Sequence, residues 1–359
     1  MNRTDRLRPS SVRLGALLAT LAFVSAPAFA GHQNARDVLI VTSSNNSTNN
    51  SVLVFKLETG QKPALVLTET LPTGGKGGAS TNAGIVQFQD HFGAVANYGT
   101  NTVTRLVRVG DYIGMDGILP LAAGCQKPDS VALSAGHLFV VGTNCAETLR
   151  WPQGGQASQP IALSDPSAAQ IAVGDSWAAV TLSSGSVLQM PLRADGALAG
   201  SAATITLPAE ANNTPLGAAF WDDNLGFTPA HSPDSFAIVN PKREVFPVVG
   251  PTPPFPTNAP CWVAKGPGNI WYTGNSPSQA ISVFFSDDEG GAFYKSVPVP
   301  GTATDLAVSP DGRWLAALYT AGGNGYVAVF AIDVYGSLTQ VATSAAVGVA
   351  AFSGVAISQ

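Results

Sequence analysis

Short runs of apolar residues recur along this chain at nearly even spacing, each preceded by turn-forming residues. The clearest runs are "AGIVQF" at 83, "DSVALS" at 129, "AQIAVG" at 169, "LGAAFW" at 216, "PCWVAK" at 260, "TDLAVS" at 304 and "SGVAIS" at 353. Such short runs, bounded by turn residues and free of helix signals, predict strands. Their even spacing predicts a repeat architecture.

Each of the first six runs is followed by a turn and further apolar runs, as "RWLAALYT" and "GYVAVFAID" follow "TDLAVS". Four short strands per unit are typical of β-propeller blades. The seventh run, 353–358, lacks such followers, whereas "DVLIVTSS" (37–44) and "SVLVFKLE" (51–58) lack a first strand. We therefore predict an all-β fold, a single seven-bladed β-propeller closed by pairing of the C-terminal strand with the N-terminal strands. A large β-sandwich is the alternative, which the seven-fold register disfavours.

The first thirty residues follow a different pattern. "MNRTDRLRPSSVR" carries four Arg, "LGALLATLAFVSA" is a mainly apolar run of thirteen residues, and "APAFA" ends in a small-x-small pattern. This order is typical of a secretory signal peptide, and the apolar run is short for a membrane span. We expect a signal peptide over 1–30, a propeller over 31–359, no membrane insertion, and a periplasmic or secreted location after cleavage near Ala30. A retained anchor is the alternative.

The charge balance narrows the range of partners. Subtracting the four Arg and one Asp of this segment from 18 basic and 23 acidic residues leaves 14 and 22, a net charge of −8. An acidic chain is a poor match for nucleic acid and for anionic lipid surfaces. The 38 Gly and 26 Pro predict many turns, and 45% hydrophobic residues are enough for a folded core.

Three cysteines in an exported chain allow one disulfide. If Ala135–Gly136 is a hairpin turn, Cys125 and Cys145 face each other just beyond the strand ends, within bridging distance. We predict this disulfide, which leaves Cys261 unpaired. The four His are scattered, and none has the spacing of zinc ligands, so no metal site is predicted. The sequence also lacks phosphate-binding and dinucleotide-binding loops, so no cofactor is expected.

Three segments carry a resemblance to a known family: "APCWVAKGPGNIWYTGNSPSQAISVF" (259–284), "SPDGRWLAALYTAGGNGYVAVFAID" (309–333) and "GAVANYGTNTVTRLVRVGD" (93–111). They resemble the lactonase-type seven-bladed propellers, which include 6-phosphogluconolactonases and carboxymuconate cyclases. The resemblance implies opening or closing of a lactone ring over the central channel, without a redox cofactor, by His, Arg and Glu at the channel mouth. The family's Asp-Leu-Gly segment is missing here, so the resemblance supplies no catalytic residue.

Candidate site residues come from the loops that lead into the first strands and those that join the second and third strands, because these loops surround one mouth of a propeller channel. Acid–base or charged groups there suit lactone chemistry or polar recognition. The candidates are Lys127, Asp129, His231, Asp305, Asn97, Tyr98 and Cys261.

Most of these candidates also fit a structural role. Asn97 suits a turn, Asp305 an Asx turn at the start of a strand, and His231 a solvated loop. Lys127 and Asp129, on either side of Pro128, suit a surface ion pair, and Cys261 suits a small buried thiol.

A loop face rich in Asn, Thr and Gly favours an exported binding or interaction module over an enzyme. Its partner would be a small polar molecule or a protein at the channel face, and the oligomeric state stays open. The alternative is a lactone hydrolase or cyclase with a non-standard acid–base set. A purely structural envelope component is the third hypothesis.

Overall fold

The computed structural model describes residues 37–79, 83–231, 235–249, 259–287, 290–348 and 352–359. Within these ranges the chain forms 28 β-strands and one short 3-10 helix, Tyr98–Thr100. None of the described residues belongs to a helix long and apolar enough to cross a membrane. The predicted signal peptide, 1–30, lies outside the described residues.

The strands follow one another along the chain with short connections. The first seven are β1 (Val38–Ser43), β2 (Ser51–Glu58), β3 (Ala64–Pro72), β4 (Val86–Gln89), β5 (Phe92–Asn97), β6 (Thr102–Val109) and β7 (Tyr112–Pro120). The next eight are β8 (Pro128–Ser134), β9 (His137–Gly142), β10 (Cys145–Arg150), β11 (Ile161–Ala162), β12 (Ala168–Val173), β13 (Trp177–Leu182), β14 (Ser186–Pro191) and β15 (Ala203–Ile205).

The second half of the chain repeats the same arrangement. It contains β16 (Pro215–Trp221), β17 (Asn224–Pro229), β18 (Ser235–Val239), β19 (Val245–Val249), β20 (Pro260–Lys265), β21 (Ile270–Asn275), β22 (Ala280–Asp287) and β23 (Gly290–Pro298). The last five strands are β24 (Thr302–Val308), β25 (Trp314–Ala321), β26 (Asn324–Ile332), β27 (Leu338–Thr343) and β28 (Ser353–Ser358).

The described strands form seven four-stranded sheets, which are the blades of a propeller. Blades 1 to 6 each take four consecutive strands, from β4–β7 to β24–β27, and blade 7 has the order β28-β1-β2-β3. The predicted seven-bladed, all-β fold is confirmed.

Blade 7 closes the ring. The C-terminal strand β28 pairs antiparallel with β1, with Ile357 opposite Ile40 and Val355 opposite Thr42. β28 also packs beside β24 of blade 6 and β4 of blade 1, so the seven innermost strands follow one another around a central axis. This pairing gives hydrogen-bond partners to the backbone N–H and C=O groups along the edge of β1, which would otherwise be unpaired.

The core lies between the blades. The second strand of a blade, such as β9 or β13, is buried on both faces because a neighbouring blade covers each side. Such strands therefore read as nearly continuous apolar runs rather than alternating ones. The outer strand β3 is mostly exposed. Aromatic side chains fill the wider outer spaces, as where Phe236 of blade 4 lies 5.0 Å from Trp271 of blade 5, between ring centroids.

The innermost strands share one irregularity that shapes the centre. In β8, β12, β16, β20 and β24 the register with the second strand shifts near the start of the strand, and β28 has a shift against β1. A bulge leaves backbone groups unpaired within its own sheet. In β12 and β16 such groups bond to threonine side chains of the same blade: the Gln170 N–H donates to Thr181 Oγ1 and the Gly217 N–H to Thr228 Oγ1.

Blade 2 contains the predicted hairpin and disulfide. Ala135 and Gly136 have φ angles of 48° and 75°, as a tight hairpin turn requires, and Leu133 pairs with Leu138 across it. Cys125 and Cys145 form a disulfide with a Cα–Cα distance of 5.5 Å. The bridge fastens the segment before β8 to the start of β10.

Candidate functional site

The seven innermost strands surround a central cavity of about 300 Å³. Small side chains line part of its wall and help to leave the axis open. They include Ala132, Ala172, Ala219, Ala264, Ala307 and Ala356. The volume lies at the lower end of the range for small-molecule sites.

The cavity opens on one face of the ring. At its inner end Gly84, Gln170 and Asp305 are buried, whereas Phe88 and Phe220 at the other end are half-exposed. The exposed end lies beside the turns that join the first and second strands of each blade. This face is opposite the loop face from which the sequence candidates were taken.

The mouth has an apolar collar with one cationic side chain. The apolar side chains there are Phe88, Leu133, Val173, Phe220 and Val308. Lys265 reaches back over its own turn, donates to the Gly266 and Gly268 carbonyls, and lies 5.6 and 5.4 Å from the ring centroids of Trp221 and Trp271. Burial against these groups lowers the pKa of Lys265 to about 8.

At the inner end, side chains and backbone groups of successive blades bond to one another across the ring. The Val131 N–H donates to the Gly84 carbonyl over 2.8 Å, and the Ala218 N–H donates to Gln170 Oε1 over 2.7 Å. The Ile171 N–H approaches Ser130 Oγ at 3.3 Å. These bonds join the innermost strands of neighbouring blades, so the inner end is a belt that ties blades together.

Asp305 is the charged member of this belt. Its Oδ1 accepts from the Leu306 N–H at 2.8 Å and its Oδ2 from the Val355 N–H at 3.0 Å. The carboxyl also accepts from the Gly84 N–H, so it joins blades 6, 7 and 1. Complete burial outweighs these three bonds and raises the pKa of Asp305 to about 7.

Of the seven sequence candidates, Asp305 is the one found among the described residues that line this cavity. Lys127 and Tyr98 lie together on the other face, with Lys127 Nζ 5.6 Å from the centroid of the Tyr98 ring. The Lys127 backbone N–H donates to Asn101 Oδ1 over 2.7 Å. Lys127 forms no ion pair with Asp129 among the described residues, and Asp129 is buried in the bulge of β8.

The remaining candidates sit on separate blades. His231 is exposed on blade 4, where its Nδ1 lies 2.7 Å from Thr214 Oγ1. Cys261 on blade 5 packs against the small cluster of Ala169, Leu216 and Ala230, and burial raises the pKa of its thiol. A raised pKa makes a cysteine less nucleophilic at neutral pH.

Asn97 has a structural role. It is fully buried at the end of β5, and its Oδ1 accepts from Thr73 Oγ1 at 2.7 Å and from Asn50 Nδ2 at 3.1 Å. Its Nδ2 donates to Thr104 Oγ1 over 2.8 Å. The side chain therefore joins blade 7 to blade 1.

Sequence reasoning missed Gln170, the polar side chain beside Asp305 at the inner end. The signal was present, because Gln170 holds the same position in "AQIAVG" as Asp305 does in "TDLAVS". The side chain of Gln170 is neutral, and an uncharged side chain on an innermost strand does not by itself indicate a functional role.

Comparison with solved structures supports the propeller fold. A protein from Lactobacillus plantarum aligns with 90% of this chain and 100% of its own length, at 12% identity and a TM-score of 0.66. Virginiamycin B lyase from Staphylococcus aureus, solved as a catalytically inactive variant with quinupristin, aligns with 79% of this chain and 92% of its own length, at 14% identity and a TM-score of 0.55.

The predicted lactonase resemblance is supported only as far as the fold. A candidate 6-phosphogluconolactonase from Bacteroides uniformis aligns with 86% of this chain and 82% of its own length, at 16% identity and a TM-score of only 0.45. The chain matches no protein-family model and no curated protein sequence.

Proposed function

We propose that this protein is a binding module that holds a small ligand in its central cavity and does not turn it over. The observation that carries the proposal is the cavity itself, about 300 Å³ in volume, open at an apolar collar and ending at buried polar groups. A concave site that combines apolar side chains with a few convergent polar groups is the usual form of a small-molecule site.

The arrangement of titratable side chains favours binding over lactone hydrolysis. Hydrolysis needs a base within reach of the substrate and donors aimed at the developing oxyanion. The Asp305 carboxyl already accepts three backbone N–H groups, and His231 and Lys127 lie outside the cavity lining. The N–H groups at the inner end are likewise engaged across the belt.

The first test measures both binding and turnover of each compound in a panel of small lactones and lactams. We expect saturation-transfer NMR signals from some of them and hydrolysis no faster than in buffer. Ala219→Phe should abolish the signals because Ala219 lines the cavity and is half-exposed to it.

Ala292→Phe is the matched control, since it adds the same side chain at an exposed position on the outer strand β23. Hydrolysis above the buffer rate would make the protein a lactonase and overturn the proposal. Absence of signals across the panel, or equal signals in the two variants, would remove the cavity as the site.

The proposal places this binding module outside the cytoplasm, which the pattern of residues 1–30 supports. Mass spectrometry of the protein recovered from the exported fraction should give a chain that starts at Gly31. A chain that keeps Met1 and stays in the cytoplasm would contradict this part.

A further inference from the structure

The inner end of the cavity contains an amide group with one side already bonded. Gln170 is 7% exposed, and its Oε1 accepts the Ala218 N–H at 2.7 Å. This bond fixes which way the amide lies, so Nε2 takes the opposite direction. Among the described residues, none accepts a hydrogen bond from Nε2, and the side chain lines the cavity.

A glycine brings this donor close to Asp305. A Cβ placed on Gly84 would lie 3.3 Å from Gln170 Nε2 and 2.7 Å from Ser130 Oγ, so only a glycine fits there. The Gly84 N–H is one of the three groups that Asp305 accepts. Gln170 and Asp305 therefore reach the same glycine from opposite sides of the ring.

The two side chains offer complementary hydrogen-bonding positions. In its ionised form, which predominates above the pKa of about 7, the Asp305 carboxylate has about four acceptor positions, and three of them are occupied by N–H groups. Gln170 Nε2 supplies a donor that no acceptor of the described residues engages, so it is available to a ligand acceptor. The alanines of the surrounding wall supply apolar contact, and Gln87 adds a second amide to the cavity lining.

We propose that the cavity selects a compact molecule whose inner end pairs an oxygen acceptor with an adjacent N–H donor, as an amide or lactam does. The acceptor bonds to Gln170 Nε2, the donor faces Asp305, and the apolar body lies within the collar. This inference rests on the proposed function, because it names the ligand class for the same cavity.

Three rings of equal size test the inference: 2-pyrrolidinone has both groups, γ-butyrolactone has the acceptor alone, and cyclopentane has neither. We expect dissociation constants to rise in that order. Gln170→Met should weaken binding of 2-pyrrolidinone by about 3- to 10-fold, the effect of one neutral hydrogen bond, and leave cyclopentane unchanged.

Ser130→Ala is the control, since it removes the equivalent belt contact to the Ile171 N–H but no donor that lines the cavity. Equal binding of the three rings, no effect of Gln170→Met, or the same loss in both variants would overturn the inference while leaving the cavity as a site. Failure of all three rings to bind wild-type protein would instead overturn the proposed function and this inference together.

Discussion

At the scale of single residues, Asp305 combines complete burial with partners that are all backbone N–H groups. No ion pair therefore stabilises the charged form of this carboxyl, and the desolvation cost of that form raises its pKa. The sequence indicated Asp305 as a candidate because of its residue type and position. It could not indicate that the carboxyl spans three blades, because its partners Val355 and Gly84 lie at distant points of the chain.

Asp305 should make stability depend on pH. Its pKa rises from 3.8 to about 7 on folding, so the folded state binds the proton more tightly. The stabilisation this brings is complete below pH 3.8 and is lost as the pH rises through about 7. Between pH 5 and pH 8 the loss should be about 1–3 kcal/mol in the free energy of unfolding.

Urea unfolding of wild type and Asp305→Asn at several pH values measures this effect. The asparagine variant is less stable at pH 5 because it offers one acceptor fewer, and its deficit should shrink toward pH 8. A deficit that stays constant across this range would show that Asp305 does not titrate there.

At the scale of elements, the hairpin of blade 2 shows how much structure a local sequence pattern can predict. The turn at Ala135–Gly136 was predictable because two small residues between apolar runs suit positive φ angles, and the pairing of Leu133 with Leu138 follows from it. The same register brings Cys125 and Cys145 to 5.5 Å. By contrast, the bulges at the start of the innermost strands leave little trace in the sequence, since residues as different as Asp129, Ala169 and Cys261 occupy them.

Removal of the disulfide should lower stability without changing the fold. The bridge closes a loop across a sequence separation of 20, and Cys125→Ser with Cys145→Ser should cost about 2–4 kcal/mol in the free energy of unfolding. Urea unfolding checks this value. Cys261→Ser serves as the control because Cys261 is a free thiol, and it should cost less than half as much. Equal effects of the two changes would assign the loss to thiol packing rather than to the cross-link.

At the scale of the whole molecule, the number of blades and the closure were predictable because each blade repeats one pattern and the orphan strands at the two ends complement each other. The pairing of Ile357 with Ile40 confirms this expectation. The location of the cavity mouth was not predictable in the same way. It depends on the positions of bulky side chains such as Phe88 and Phe220 around the axis. It also depends on the close packing of Gly84, Gln170 and Asp305 at the inner end.

The most direct test is to map backbone amide chemical shifts of isotopically labelled protein on addition of 2-pyrrolidinone. We expect shifts that saturate and centre on the inner end of the cavity, at Gly84, Ile171 and Ala218, with none at Asn97 or His231 on the opposite face. Shifts centred on the Asn97 and His231 loops would place the ligand on the opposite face of the ring, outside the cavity, and would contradict the proposal. Absence of saturable shifts would contradict it as well.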